Sequence, residues 1–179
     1  MGRAILFWDE TGHTFRARCG TTWAPTGRPP LLRRCSQRRE VSTIAVLQAP
    51  VGVPPRLYAR HVRGTIHADE VLVALRYFRR RIGRPLLVIW DGLPAHRAKR
   101  VETFVATHPA DYRIEWLPPY APELNPEELC NGAVKRETLN AAPDSVDALL
   151  RQARRAFLRL GRRPHLLRGF FHHVGLDVN

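Results

Sequence analysis

The spacing of apolar residues changes character near residue 67 of this 179-residue chain. Before it, apolar positions come in short runs rich in strand formers. Residues 4–8 (AILFW) form one such run and stop at Asp9, Glu10 and Thr11-Gly12, which predicts a buried strand ending at carboxylates. Residues 14–30 contain WAPTGRPP and read as a loop or distorted hairpin. Residues 40–48 (EVSTIAVLQ) and 56–66 (RLYARHVRGTI) are β-branched and flank the turn-forming APVGVPP, which predicts an antiparallel pair.

After residue 67 the period becomes helical. Positions 71, 72, 75, 78 and 82 are apolar, predicting a helix over 67–82 with Gly83 as its stop. Residues 85–90 (PLLVIW) are apolar without alternation, as in a strand covered on both faces, and lead into Asp91-Gly92. A helix over 95–107, a strand over 112–117 and a helix over 126–139 follow. The tail predicts an amphipathic helix over 145–160, with its stripe at 146, 149, 150, 153, 157 and 160, and a shorter helix over 166–174. Three antiparallel strands followed by two strands alternating with helices make an α/β domain with a mixed sheet flanked by helices on both faces. Sites in such sheets form outside the carboxyl ends of strands.

The length fits one domain, residues 1–179, with a sizeable core. No apolar run approaches the roughly 18 residues of a membrane span, and an acid at position 9 comes too early for a signal peptide, so a cytoplasmic protein is expected. Cys19, Cys35 and Cys130 form no CxxC pair, which argues against zinc and against a disulfide framework. The net charge of +13 makes nucleic acid the natural partner. Candidate phosphate contacts are Arg33, Arg34, Arg38, Arg39, Arg97, Lys99, Arg100, Lys135 and Arg136. Each by itself is more often a solvated charge.

Asp9 and Asp91 each end an apolar run, where a carboxylate is costly unless solvated, paired or bound to a cation. On neighbouring strands they would jointly suit Mg²⁺ or Mn²⁺, and a third acid would complete a two-ion site for phosphodiester chemistry. LPPYAPELNPEEL at 117–129 supplies acids at Glu123, Glu127 and Glu128. Pro118, Pro119 and Pro122 predict an extended approach, Asn125 an N-cap and Pro126 the first turn of a helix. Glu128 then falls at the capping-box position, whereas Glu127 shares a stripe with Cys130 and Val134. Local physics leaves these two glutamates level.

FWDETG at 7–12, WAPTGRPP at 23–30, VIWDGLPAH at 88–96, and LPPYAPELNPEEL followed by VKR at 134–136 occur in that order. Together they resemble the DDE transposases of the mariner superfamily, in particular its bacterial insertion-sequence branch. The resemblance implies a ribonuclease-H-like fold, two Mg²⁺ or Mn²⁺ ions, and a triad of Asp9, Asp91 and, as the last acid of PELNPEE, Glu128. It implies cleavage of DNA at transposon ends and strand transfer into target DNA, with TA as the target dinucleotide. The 36 residues between Asp91 and Glu128 are close to the spacing such enzymes show. His96 matches a histidine of the family's D-x-x-x-x-H segment and is a candidate accessory residue. Glu10 and Glu127 are two more, although period two turns Glu10 to the other face of its strand.

The chain departs from the pattern in having Gly92 where the family usually has Asn, and Asn131 where it often has Trp. It begins almost on the first catalytic strand, so the resemblance reaches a catalytic domain without its helix-turn-helix module. A separate or frameshift-fused helix-turn-helix protein and a second copy of the chain are the implied protein partners, and the bacterial nucleoid the implied location when DNA is bound. Two readings follow: an active DNA-cutting enzyme, and a decayed or domesticated fragment that only binds nucleic acid. A sugar hydrolase with paired carboxylates is the poorest of the alternatives, given the +13 charge.

Overall fold

The computed structural model describes residues 2–15, 21, 23–28, 40–49, 52–119 and 121–176. Arg33, Arg34, Arg38 and Arg39 therefore lie outside the described residues. The first strand, β1 (Ala4–Thr14), runs well past the predicted stop at residue 8. The reason is non-local. β2 (Glu40–Gln48) pairs antiparallel with it from Leu6 to Thr14, so even the turn-forming Thr11-Gly12 stays in the ladder. Asp9 consequently sits in mid-strand rather than at a strand end.

β3 (Arg56–Arg63) pairs antiparallel with β2 and ends three residues short of the predicted limit. β4 (Leu86–Trp90) pairs parallel with β1, and β5 (Tyr112–Trp116) parallel with β4, giving the order β3-β2-β1-β4-β5. The predicted mixed sheet of five strands is thus present, with helices on both faces.

On one face, α1 (Ala68–Ile82) and α2 (Lys99–Thr107) bury Phe78, Leu75 and Val101 against Leu6, Trp8, Val88 and Trp90. Trp8 meets Phe78 and Trp90 edge-on, with ring centroids 5.4 and 5.5 Å apart. Such aromatic pairs are each worth about 1 kcal/mol beyond the area they bury. On the other face, α3 (Pro126–Glu137), α4 (Val146–Gly161) and α5 (Pro164–His173) cover Phe7, Ala45 and Leu47. These three helices lie over β1, β2 and β3 rather than β4. That corrects the expectation for β4. Leu86, Val88 and Trp90 are buried, but Leu87 and Ile89 on the opposite face are only half-buried.

Local chemistry sets most helix ends. Glu70 accepts from the His67 N–H at 2.9 Å to start α1, and Gly83, at φ 74°, closes it with a bond to the Arg79 carbonyl. Ser145 Oγ accepts from the Ala148 N–H to start α4. α2 starts four residues later than the pattern predicts. Residues 93–97 are tied in a turn instead, with the N–H groups of His96 and Arg97 both donating to the Leu93 carbonyl and Ala98 extended after them. Among the described residues no helix is long and apolar enough to cross a membrane.

A buried polar thread joins β1, β2 and β3 away from the carboxylates. His13 Nε2 lies 3.0 Å from Thr43 Oγ1, which lies 2.8 Å from His61 Nδ1. Burial, followed by the charges of His61 and Lys135, pushes His13 down to about 4, and burial with the Arg154 charge pushes His61 down to about 4. Burial disfavours an imidazolium at either position, and the charge of His61 adds to this at His13. Both folded values lie below the unfolded one. The neutral-ring stability is therefore complete above pH 6.5 and is lost as pH falls from 6.5 through about 4. Thermal unfolding followed by circular dichroism should show Tm falling by about 10 °C between pH 7 and pH 4.5, from roughly 3 kcal/mol of lost stability. His13→Gln should flatten that slope; an unchanged slope would remove the thread from the acid response.

Candidate active site

Asp91 follows Trp90 directly at the carboxyl end of β4. The parallel ladder pairs Phe7 with Ile89, so two residues further along, Asp9 and Asp91 stand level on neighbouring strands. The third element is α3. Asn125, buried at its N-cap, donates from Nδ2 to the Trp8 carbonyl at 3.1 Å and accepts from the Glu127 N–H at 3.1 Å. That pair of bonds hooks the start of α3 onto β1 immediately before Asp9. A short 3₁₀ turn, Pro122–Leu124, leads into it where an extended approach was predicted. Asp9, Asp91 and Glu128 then line one cleft of about 370 Å³, together with Gly92, Arg97 and Asn125.

Glu127 and Glu128 go to different places. Glu128 is exposed on the cleft wall. Glu127 is fully buried between α3 and β1, on the stripe it shares with Cys130 and Val134. Burial first, and then the charges of Asp9 and Glu10, hold Glu127 well above the usual carboxylate range, favouring its neutral form, and its Oε1 is buried without a hydrogen-bond partner. Asn131 links Glu127 to Asp9, donating to Asp9 Oδ2 at 2.8 Å and to Glu127 Oε2 at 2.7 Å. Asp9 is pushed up to about 7, mainly by burial and then by the Glu128 charge, with the Asn131 bond pulling the other way.

On the opposite face of β1, as period two predicted, Glu10 accepts from Trp8 Nε1 at 2.7 Å and from His96 Nε2 at 2.8 Å. His96 is buried, with its ring parallel to that of Trp90 at 4.3 Å. Its Nδ1 donates to the carboxylate and the carbonyl of Asp91, each at 3.0 Å. Burial alone would lower His96, but its bonds to Asp91 and Glu10 and the Glu10 charge raise it to about 10. Burial likewise works against the Asp91 anion, and here the His96 bond, the Leu93 N–H and the charges of His96 and Arg97 win, holding Asp91 below the usual range.

Glu10, Asp91 and His96 are the one group of three metal-type ligands within 4.8 Å of one another among the described residues. His96 has both ring nitrogens engaged by the two acids. A protonated imidazole donates from both nitrogens and has no lone pair for a cation. His96 is thus a bridge that fixes Asp91 through the sheet to Glu10, not a ligand.

Of the described basic residues, only Arg97 lines the cleft. Its guanidinium lies 5.7 Å from the Trp116 ring centroid and over Gly92, where an added Cβ would come within 2.4 Å of Nη2. Lys99 and Arg100 sit on the first turn of α2 beside a different hollow, and Arg100 is paired with Asp69 at 2.9 Å. Lys135 and Arg136, in the last turn of α3, line a third hollow of about 570 Å³ with Gly12 and His13. Reading residue by residue missed Asn131 as a bridge, Asn125 as the hook to β1, and Trp90 as the platform for His96. The i, i+4 spacing of Glu127 and Asn131 was the available signal for the first.

The chain superposes on the Mos1 transposase paired-end complex with the left transposon end, with TM-score 0.60 and 14% identity over 98% of this chain and 56% of that one. It also superposes on the Mos1 transposase catalytic domain with Raltegravir and Mg, with TM-score 0.56 and 17% identity over 98% and 84% of the two chains. A simian T-cell lymphotropic virus intasome in complex with a PP2A regulatory subunit gives TM-score 0.52 and 16% identity over 83% and 46%. At these identities the likeness concerns the fold, which is ribonuclease-H-like. The chain spans a little over half the length of the transposase in the paired-end complex. No curated protein sequence matches it. The family model described as DDE superfamily endonuclease matches residues 4–150, a span that contains Asp9, Asp91 and Glu128, and the chain belongs to that family.

Proposed function

We propose that the cleft between β1, β4 and α3 cuts phosphodiester bonds at the ends of a mobile DNA element and joins the freed ends to target DNA, in the manner of mariner-superfamily transposases of bacterial insertion sequences. The observation that carries this reading is the convergence of Asp9, Asp91 and Glu128 on one cleft in a chain of the DDE endonuclease family. The residues fit divalent cations. All three donors are carboxylates, the oxygen ligands hard ions take, and a cation between them would offset both the burial and the Glu128 charge that raise Asp9. Asp9, Asp91 and Glu128 would hold two Mg²⁺ or Mn²⁺ ions, which when bound supply Lewis acidity at the scissile phosphate.

The protein's own groups do the positioning. His96 keeps Asp91 ionised and points its carboxylate into the cleft. Asn131 and neutral Glu127 orient Asp9 from beneath. Arg97, with no carboxylate tied to it among the described residues, offers its guanidinium to a phosphate in the cleft, and Lys135 and Arg136 extend the contact with DNA beyond it. On this reading residues 1–179 act as one catalytic domain, a helix-turn-helix module supplies recognition of the ends, and TA is the target.

Nicking of DNA that carries the element's terminal inverted repeats, in Mg²⁺ or Mn²⁺, tests the assignment. Asp9→Asn, Asp91→Asn and Glu128→Gln should each cut at least about a hundredfold more slowly, the several kcal/mol that ion-held charge stabilisation supplies. Glu127→Gln should stay within about tenfold of wild type, because an amide reproduces the neutral hydrogen-bonding acid. A larger loss at Glu127 than at Glu128 would move the third ligand to Glu127. A wild type that nicks no better than Asp91→Ala would leave the chain a nucleic-acid binder only.

His96→Gln tests the bridge separately. It leaves Glu10, 11% exposed, without its buried cation, and urea denaturation at pH 7 should show a loss of about 3 kcal/mol. His96 is raised above its unfolded value, so its contribution is complete below about pH 6.5 and is lost as pH rises through about 10. The gap between wild type and variant should therefore close at alkaline pH; a gap independent of pH would show that packing, not charge, is what the histidine contributes.

A further inference from the structure

A second cleft opens at the far edge of the sheet, around β3. It holds about 630 Å³, with α1 on one side and α4 on the other. Leu57, Ala59 and Phe157 give it an apolar floor. Four arginines ring that floor: Arg60 on β3, Arg81 in the last turn of α1, Arg154 on α4, and Arg162 at the α4 C-cap. No described residue lining it is acidic.

These four differ from other arginines of the same elements in facing one hollow, and no described carboxylate answers them there. Arg63 is bound to Asp147, Arg79 to Asp111 and Arg159 to Glu137, whereas none of the four has a carboxylate partner among the described residues. Arg60 Nε is buried without a hydrogen-bond partner, and its guanidinium lies over the Tyr77 ring at 5.8 Å. A buried donor left unmade costs about 1–3 kcal/mol, and four like charges around one hollow repel each other. His61 in the same wall is driven towards its neutral form by burial and then by the Arg154 charge, as expected in a positive field. Each of these costs falls when an anion enters.

We propose that this edge cleft is a second nucleic-acid site, which holds the sugar-phosphate backbone of a DNA strand lying outside the acidic cleft. Guanidinium forks match phosphate oxygens in pairs, and the exposed Tyr77 ring and apolar floor suit the sugar and base edges between successive phosphates. The sheet register places the cleft relative to the carboxylates. Ala59 pairs with Ala45, which pairs with Asp9, so the two sites stand level and two strands apart, roughly 10 Å across the sheet. With α4 lying over the strands between them, a backbone held at β3 runs alongside the acidic cleft instead of through it.

The proposal is independent of cleavage, and its test uses no metal. Binding of the full chain to a fluorescent DNA duplex of about 20 base pairs is measured in EDTA over a salt series. Arg154→Glu with Arg162→Glu is compared with Arg80→Glu with Arg155→Glu. The second pair makes the same charge change at exposed positions of α1 and α4, the helices that flank the cleft, but outside it. The cleft pair should weaken binding at least about tenfold and lower the slope of log K against log salt by about 2, the value for two lost phosphate contacts. The control pair should cost less than about threefold. Equal losses from the two pairs would overturn the site and leave only bulk charge. Cleft-dependent binding of a labelled polyglutamate peptide, with DNA binding unaffected by the cleft pair, would also overturn it, since the edge strand would then serve an acidic protein segment. If a double variant fails to fold, phenylglyoxal labelling of the wild type decides: DNA should protect Arg60, Arg81, Arg154 and Arg162 more than Arg80 and Arg155, and equal protection refutes the proposal.

Discussion

The parallel pairing of β1 with β4 ends at Phe7 and Ile89, and the site depends on where it ends. Beyond that point β1 keeps β2 as its only ladder partner among the described residues for seven more positions, through Thr14. The two strands part just as their acids arrive. Asp9 and Asp91 remain level but are no longer held in a shared ladder, so a cleft opens between them. Had the pairing run two residues further, the acids would sit in a closed sheet. Asn125 uses the same position, since the Trp8 carbonyl it binds is the last before Asp9.

The two aspartates occupy opposite electrostatic regimes although they are equivalent in register. Burial disfavours the charge of both. Asp91 has an imidazolium and a backbone N–H to answer it and stays ionised. Asp9 has the Asn131 amide and the Glu10 N–H for donors but no cation, and with the charges of Glu128 and Glu10 added to its burial it rises to about 7. The difference comes from what lies across each face of the sheet. Glu10 and His96 on one face give Asp91 a cation in a buried setting, whereas the α3 face gives Asp9 acids. A buried pair of this kind contributes little net stability compared with apolar packing, so its value here lies in fixing one carboxylate.

Much of this was legible in the residues, and the gaps have identifiable physical causes. The limits of β2 and the body of α1 follow from local pattern, because each buries a continuous run or one face. The length of β1 did not, because turn-forming residues stayed in register only through pairing with a strand some thirty residues away. The late start of α2 reflects the turn that delivers His96, a demand of the site and not of helix propensity. That Asp9 and Asp91 come together was readable from two apolar runs ending in acid. Whether Glu127 or Glu128 faces the cleft was not, since the answer depends on Asn125 hooking to β1, which sets the rotation of α3.

The seat of Arg97 over Gly92 has a consequence for how sequences of this kind can vary. A side chain at position 92 and the guanidinium at position 97 claim the same volume, at 2.4 Å. The guanidinium end is flexible, so adding a side chain at 92 costs the fold little, but it evicts the charge from the cleft. The two positions are therefore epistatic. A chain with asparagine at 92 gains an amide beside its second aspartate and gives up the arginine's place, while this chain has taken the other option, and neither position can be interpreted without the other.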